Sequence, residues 1–216
     1  MPLVVDQLEL GPIGTNTYLV RSSPSAAEAV VVDPSGDATT IQQALTVFGA
    51  RCTAILVTHG HFDHIVSLAD LAYQTGAPVY APAHERMLIE EPSAFTPPGI
   101  TVRGATADIW LEGGETVDVA GMSFAVTEAA GHSPGHLAYF ADGELFSGDV
   151  LFAGSVGRTD LPGSDWDTLE ASISSLLDAY PPETIVHPGH GPETTLAAEL
   201  AGNPFLGALR AARSRR

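Results

Sequence analysis

One stretch restricts what this chain can fold into more than any other: Thr58-His59-Gly60-His61-Phe62-Asp63-His64, which puts three histidines and a carboxylate within six residues. It follows the apolar run Ala54-Ile55-Leu56-Val57, which reads as a buried strand. It precedes Ile65-Val66-Ser67-Leu68-Ala69-Asp70-Leu71, whose apolar residues fall at helical spacing. Side chains of this kind make a poor core, so the turn belongs at a strand end, where loops converge without disturbing the packing. Imidazole nitrogens and carboxylate oxygens suit zinc, iron or manganese.

The rest of the chain supplies a frame for that turn. Strands are expected at 3–10, 16–22 and 28–33, a helix at 38–48, a strand at 52–57 and a helix from the histidine turn to about Gln74. A short strand at 79–81, a helical stretch at 83–90 and a Pro/Gly-rich loop at 92–104 follow; the loop reads as a lid or a passive connector. Short strands then come at 109–111, 115–119, 122–129, 137–141 and 144–147, with Gly113-Gly114, Ala120-Gly121 and Asp142-Gly143 as hairpin turns. A helix at 166–178 capped by Ser164 or Asp165, a strand at 184–186 and helical material at 193–211 complete the chain. Strands and a helix, repeated, predict an α/β protein: two similar halves packed sheet to sheet with helices outside, in one domain over 1–216.

Composition narrows the function. Hydrophobic content of 44% with 16% charged residues describes a compact globular chain. A net charge of -17 repels phosphate backbones, so nucleic acid is not an expected partner. The basic tail Arg210, Arg213, Arg215, Arg216 reads as a frayed, solvated end. A single cysteine, Cys52, rules out an internal disulfide and reads as a small buried hydrophobe. No stretch reaches the roughly 20 apolar residues of a membrane span, and the N-terminus lacks a basic, then apolar, leader. A cytoplasmic protein without membrane contact is the expectation.

Three later segments also place a ligand just beyond a strand: Gly131-His132-Ser133-Pro134-Gly135-His136, Ser147-Gly148-Asp149 and Pro188-Gly189-His190-Gly191. Together, HxHxDH, GHSPGH, SGDVLF and PGHG, in this order and spacing, resemble the metallo-β-lactamase superfamily. Thr58 before the first histidine, the Asp63-His64 pair and Asp149 resemble its glyoxalase II (hydroxyacylglutathione hydrolase) branch. The resemblance implies a four-layer αββα sandwich. It also implies two divalent ions per chain, zinc foremost with iron or manganese as alternatives: His59, His61 and His132 hold the first, Asp63, His64 and His190 the second, and Asp149 bridges them. Such a pair would carry about +4, reduced to roughly +1 by two carboxylates and a hydroxide. It would activate water and polarise a carbonyl, with Asp63 orienting the attack.

The implied activity is hydrolysis of S-lactoylglutathione or a related small thioester or ester. Full-length glyoxalase II carries a C-terminal helical domain with basic residues for glutathione, and this chain resembles the short form without it. The persulfide dioxygenases, which use one iron on the equivalents of His59, His132 and Asp149, are resembled too, including in the segment Gly157-Arg158-Thr159-Asp160. A β-lactamase is disfavoured, because Asp149 stands where the common zinc β-lactamases have Cys. Arg158 is open between meeting a substrate carboxylate and anchoring its loop to Asp160. His136 is open between orienting a ligand and simple packing. His187 reads as structural and His84 as a surface residue. Asp33 either supports the metal loop, as the family resemblance implies, or caps its turn.

Overall fold

The computed structural model describes residues 3–215. Its elements run β1 Val4–Leu10, β2 Thr15–Arg21, β3 Glu28–Val32, α1 Ala38–Val47, β4 Arg51–Leu56, α2 Leu68–Thr75, β5 Val79–Pro82, α3 Arg86–Glu90 and β6 Ile109–Leu111. Then come β7 Thr116–Val119, β8 Met122–Glu128, β9 Leu137–Ala141, β10 Glu144–Gly148, β11 Leu151–Phe152, β12 Ser155–Val156, α4 Trp166–Ala179, β13 Ile185–Pro188, β14 Thr194–Thr195, α5 Leu196–Gly202 and α6 Gly207–Arg213. One sheet has the order β1-β2-β3-β4-β5-β6, antiparallel at β1-β2-β3 and parallel from β3 to β6. The other has the order β14-β13-β10-β9-β8-β7, with β13 parallel to β10 and every other pairing antiparallel.

The period-2 alternation of strands sorts the apolar side chains into three layers of core. Tyr18, Val20, Val30, Val32 and Leu56 point inward to meet Phe124, Val126, Leu137, Tyr139 and Phe146 of the facing sheet. Their neighbours Leu19, Val31, Ile55 and Val57 point outward under α1 and α2, against Ile41, Leu45, Leu68 and Leu71. On the far side, Ala138, Leu145 and Val186 pack under α4, against Leu169, Ile173 and Leu176. This is the αββα sandwich that the sequence resemblance implies. Asp165, with its side chain accepting from the Thr168 amide, is the cap of α4.

Four expectations change. Gly113 and Gly114 do not form a hairpin: β6 pairs with β5 in the first sheet and β7 with β8 in the second, so these left-handed glycines carry the chain between sheets. Local alternation marks a strand but not the sheet it joins. Ala120-Gly121 and Asp142-Gly143, all at positive φ, are the two-residue hairpin turns. Helix α2 begins only at Leu68, because Phe62–His64 is a single 3-10 turn. The small strands β11, β12 and β14 have too few residues to show a period. The basic tail is not frayed at Arg210 and Arg213. Arg210 donates to the carbonyls of Leu200 and Asn203, and Arg213 bonds Asp178 and Ser174. Its last member, Arg216, lies outside the described residues.

The 92–104 loop packs Val102 into the outer core beneath the helices, and Arg103 pairs with Asp70 of α2 at 2.7 Å. These contacts favour the connector reading. Cys52 is buried, and burial pushes its thiol up to about 12, so it behaves as a hydrophobe. No helix among the described residues is long and apolar enough to cross a membrane.

If the sheet-to-sheet layer carries the stability, Phe124→Ala, which empties its centre, should cost about 3–5 kcal/mol by denaturant unfolding. Tyr73→Ala, at a side chain that is 82% exposed, should stay within about 0.5 kcal/mol. Equal losses in the two variants would contradict this packing account.

Candidate metal centre

The ends of β3, β4, β8, β10 and β13 open onto one rim between the sheets, and the predicted ligands all project from the loops there. Asp33, at the end of β3, adopts φ +50, a left-handed conformation that Asp tolerates better than most residues. From there its buried carboxylate accepts from the Thr58 amide and hydroxyl, each at 2.7 Å, and from His64 Nδ1 at 2.9 Å. It therefore ties the start of the histidine turn to its end. Glycines make room for the convergence. A side chain at Gly189 would collide with Asp149 Oδ1 and come within 2.6 Å of His64 Cε1.

The ring nitrogens reveal what the centre can hold. Thr58 Oγ1 donates to Asp33, so its contact with His59 Nδ1 at 3.0 Å requires the proton on that nitrogen, leaving His59 Nε2 bare. His132 Nδ1 donates to the Arg158 carbonyl at 2.9 Å, leaving His132 Nε2 bare. Between these two lone pairs sits His61 Nδ1, 3.0 Å from one and 2.9 Å from the other. A single His61 proton satisfies one contact at most. A cation shared by all three satisfies the set, which is the ligand number of a zinc site with an open position.

A second group lies beside the first. His64, with Nδ1 donating to Asp33, aims a buried Nε2 with no hydrogen-bond partner at Asp63 Oδ2 and Asp149 Oδ1, both 3.3 Å away. Asp149 Oδ1 is likewise buried without a donor. His190 donates from Nδ1 to the Gly14 carbonyl at 3.2 Å and turns Nε2 to within 3.2 Å of Asp63 Oδ2. Asp149 Oδ2 is 3.5 Å from His132 Nε2 and 3.6 Å from His190 Nε2, so this carboxylate stands between the two groups. Potential ligand atoms of His59, His61 and His132, of His59, His64 and Asp149, and of Asp63, His64 and His190 fall within 4.8 Å of one another in each set. Every imidazole whose second nitrogen is bonded is held by a carbonyl, a hydroxyl or a carboxylate, the usual way a protein orients histidine toward a metal.

The electrostatics differ between the groups. Burial, reinforced by His132 and His64, pushes His61 down to about 4, and burial with its histidine neighbours takes His59 well below its ordinary value. Burial also opposes charge on His64, but Asp63, Asp149 and Asp33 outweigh it and hold that pKa well above the ordinary value. His190 is raised too, with Asp63 and Asp149 overcoming burial. Burial disfavours the charged form of Asp63, yet His64 and His190 bring it down to about 2. His59 and His61 are thus held neutral, ready for a cation, whereas His64 and His190 must first give up protons.

Residues that carried no sequence signal complete the site. Thr15 donates to Asp63 Oδ2 at 2.8 Å. Asn16 holds the His190 loop through the carbonyls of Pro188 and Gly191, at 2.9 and 2.8 Å, with its own amide on Gly189. Both follow a glycine at a strand start, with no repeat or motif around them. His136 accepts from the Asp149 amide at 3.1 Å and stacks on His59, so it braces two of the converging residues without pointing its free nitrogen at them. Arg158 supplies its carbonyl to His132, while its exposed guanidinium makes two bonds to Asp160, at 2.6 and 2.8 Å. His187 pairs with Glu144 at 2.7 Å and stacks on Phe146, a structural place, and His84 is exposed.

A mixed αββα sandwich with histidines and aspartates gathered at the strand ends defines a class, and the comparisons give it a name. The family model of the metallo-beta-lactamase superfamily matches residues 10–190, and the chain belongs to that superfamily. Among curated proteins it is similar to the "Probable metallo-hydrolase YqgX" of Bacillus subtilis, 37% identical over 93% of this chain and 96% of that one. It is also similar to the hydroxyacylglutathione hydrolase GloC of Haemophilus influenzae, 32% identical over 82% of this chain and 87% of that one. Among solved structures, the BLEG-1 B3 metallo-beta-lactamase superimposes with a TM-score of 0.88 at 39% identity, covering 94% of this chain and 100% of its own. TTHA1623 in a di-iron-bound form gives 0.81 at 39%, with the same coverage. ETHE1 from Myxococcus xanthus gives 0.75 at 28%, over 94% of this chain and 85% of its own.

The electrostatic contrast is measurable. In metal-free protein, histidine NMR titration should find His61 neutral down to about pH 4 and His64 still protonated above its ordinary range. Because protons compete for the same nitrogens, acidifying the metal-loaded protein should empty the Asp63–His64–His190 group before the other. Release in the reverse order would contradict the contrast.

Proposed function

We propose that this chain is a dinuclear metallohydrolase of small thioesters or esters, of glyoxalase II type. The observation that carries the reading is the second ligand group. His64 Nε2 and Asp149 Oδ1 are buried, unpartnered and face each other beside Asp63 and His190. A single iron on His59, His132 and Asp149 would leave Asp63, His64 and His190 with no ion to hold. The similarity to GloC supports a thioester as the substrate. Zinc is the proposed metal, and the di-iron form of TTHA1623 makes iron the first alternative.

Two divalent ions held by His59, His61 and His132 and by Asp63, His64 and His190, with Asp149 between, would supply Lewis acidity and a nucleophile from water at neutral pH. The chain's own residues do the positioning. Asp63, at about 2, stays ionised and accepts from the attacking water without storing its proton. Thr15 occupies one face of Asp63 Oδ2 and so restricts how that carboxylate can turn. Asp149 is held below the ordinary carboxylate range by His64 and His132, against burial, and remains an anion between the groups. A small acyl substrate, rather than nucleic acid, suits a chain of net charge -17.

A second reading, the mononuclear iron persulfide dioxygenase, draws support from the likeness to ETHE1. The likeness to BLEG-1 brings a β-lactam into the set of substrates to be tested, although Asp149 argued against that class. Protein purified without chelator should contain about two metals per chain and hydrolyse S-lactoylglutathione or a simpler thioester. One iron per chain with oxygen uptake on glutathione persulfide would overturn the hydrolase reading. In the same assay, Asp63→Ala should lower kcat by about 100-fold or more while unfolding cooperatively. Undiminished turnover would remove Asp63 from its assigned role.

A further inference from the structure

Gly60 and Gly135 belong to the two histidine motifs, yet neither provides a ligand, and both touch the same side chain. Glu85, in the turn after β5, is fully buried. Its Oε2 accepts from the Gly60 amide at 3.1 Å and its Oε1 from the Gly135 amide at 2.7 Å. Gly60 lies between His59 and His61 on the loop that leaves β4 in the first sheet. Gly135 lies three residues after His132, on the connection between β8 and β9 in the second. The contact is close enough to require glycine at both places. A Cβ at Gly60 would lie 2.6 Å from Leu88 Cβ, and one at Gly135 would lie 2.5 Å from His84 Cβ.

We propose that Glu85 is a positioning residue: strapped between the Gly60 and Gly135 amides, it fixes the spacing of His59 and His61 from His132. The proposal rests on reading those three histidines as a metal site. A buried carboxylate without donors is unfavourable, so Glu85 draws both amides inward. Each oxygen serves a different loop: one carries His59 and His61, the other carries His132, and His61 Nδ1 lies 3.0 Å from His59 Nε2 and 2.9 Å from His132 Nε2. Glutamine cannot replace it, because its NH₂ group would face one of the two N–H donors. A bond that only stabilised the fold would affect both metal positions alike. A strap between these loops acts on the three-histidine position first.

The test is Co²⁺ affinity by chelator competition on the full chain, with four variants beside wild type. Glu85→Gln should weaken one of the metal equivalents by tenfold or more, the size expected when support behind a ligand is removed. Leu45→Ala, which loosens the core under α1 without touching either loop, should lower the melting temperature and leave both affinities within about twofold of wild type. In a His132→Ala background, where the three-histidine position is already broken, adding Glu85→Gln should change the remaining affinity less than twofold, as a double-mutant cycle requires. The strap is refuted if Glu85→Gln binds both equivalents like wild type, if Leu45→Ala loses as much, or if the Glu85 effect persists undiminished without His132. Should Glu85→Gln not fold, Glu85→Asp, one methylene shorter and able to reach only one loop, is judged by the same criteria. A wild-type chain that binds no Co²⁺ would sink the metal-centre reading itself, and the strap with it.

Discussion

The structure depends on a concentration of like-natured groups that has to be neutralised from within. Asp63 and Asp149 are buried among five imidazoles, and His64 points a bare nitrogen at both carboxylates. Left alone, such a cluster is expensive: the lone pairs repel, and the anions lack solvent. A proton relieves part of it, which is the physical content of the raised pKa of His64 and His190. Divalent cations relieve it more completely, because each satisfies several lone pairs at once. The fold's task is to hold these groups together in spite of that cost, and the sheet-to-sheet core under Phe124 and Tyr139 supplies the rigidity.

The two sheets share that task unequally. The first provides His59, His61, Asp63 and His64 on a single loop, braced by Asp33 at the neighbouring strand end. The second contributes His132, Asp149 and His190, each from a separate strand end. Contacts between the converging loops therefore decide the geometry. Thr15 and Asn16 reach from β2 to Asp63 and to the His190 loop, and Glu85 reaches from the turn after β5 to both histidine loops. A chain with every ligand but without these three braces would keep its motifs and lose their convergence.

This division explains what could be read from the sequence. The residues of the centre were legible, because ligand types crowd at short spacing and each group follows a recognisable strand. The layer order was legible from the repeated order of strands and helices, from the continuous β-branched run in β3 and from the helical spacing in α1 and α4. The assignment of β6 to the first sheet was not, since three residues carry no information about their partner strand. Nor were the braces: Thr15, Asn16 and Glu85 act through contacts 25 to 175 residues distant, and no local pattern encodes these. Arg210 and Arg213 looked like a solvated tail because the carbonyls and the carboxylate they bond lie on other elements.

The account's central claim is that two ligand groups, joined by Asp149, hold two metals at once. X-ray absorption on the metal-loaded chain measures this directly. It should show a metal–metal distance of about 3.5–4 Å, with only nitrogen and oxygen in the ligand shell. A single metal per chain, with no metal–metal scattering and unchanged by adding further metal, would contradict it.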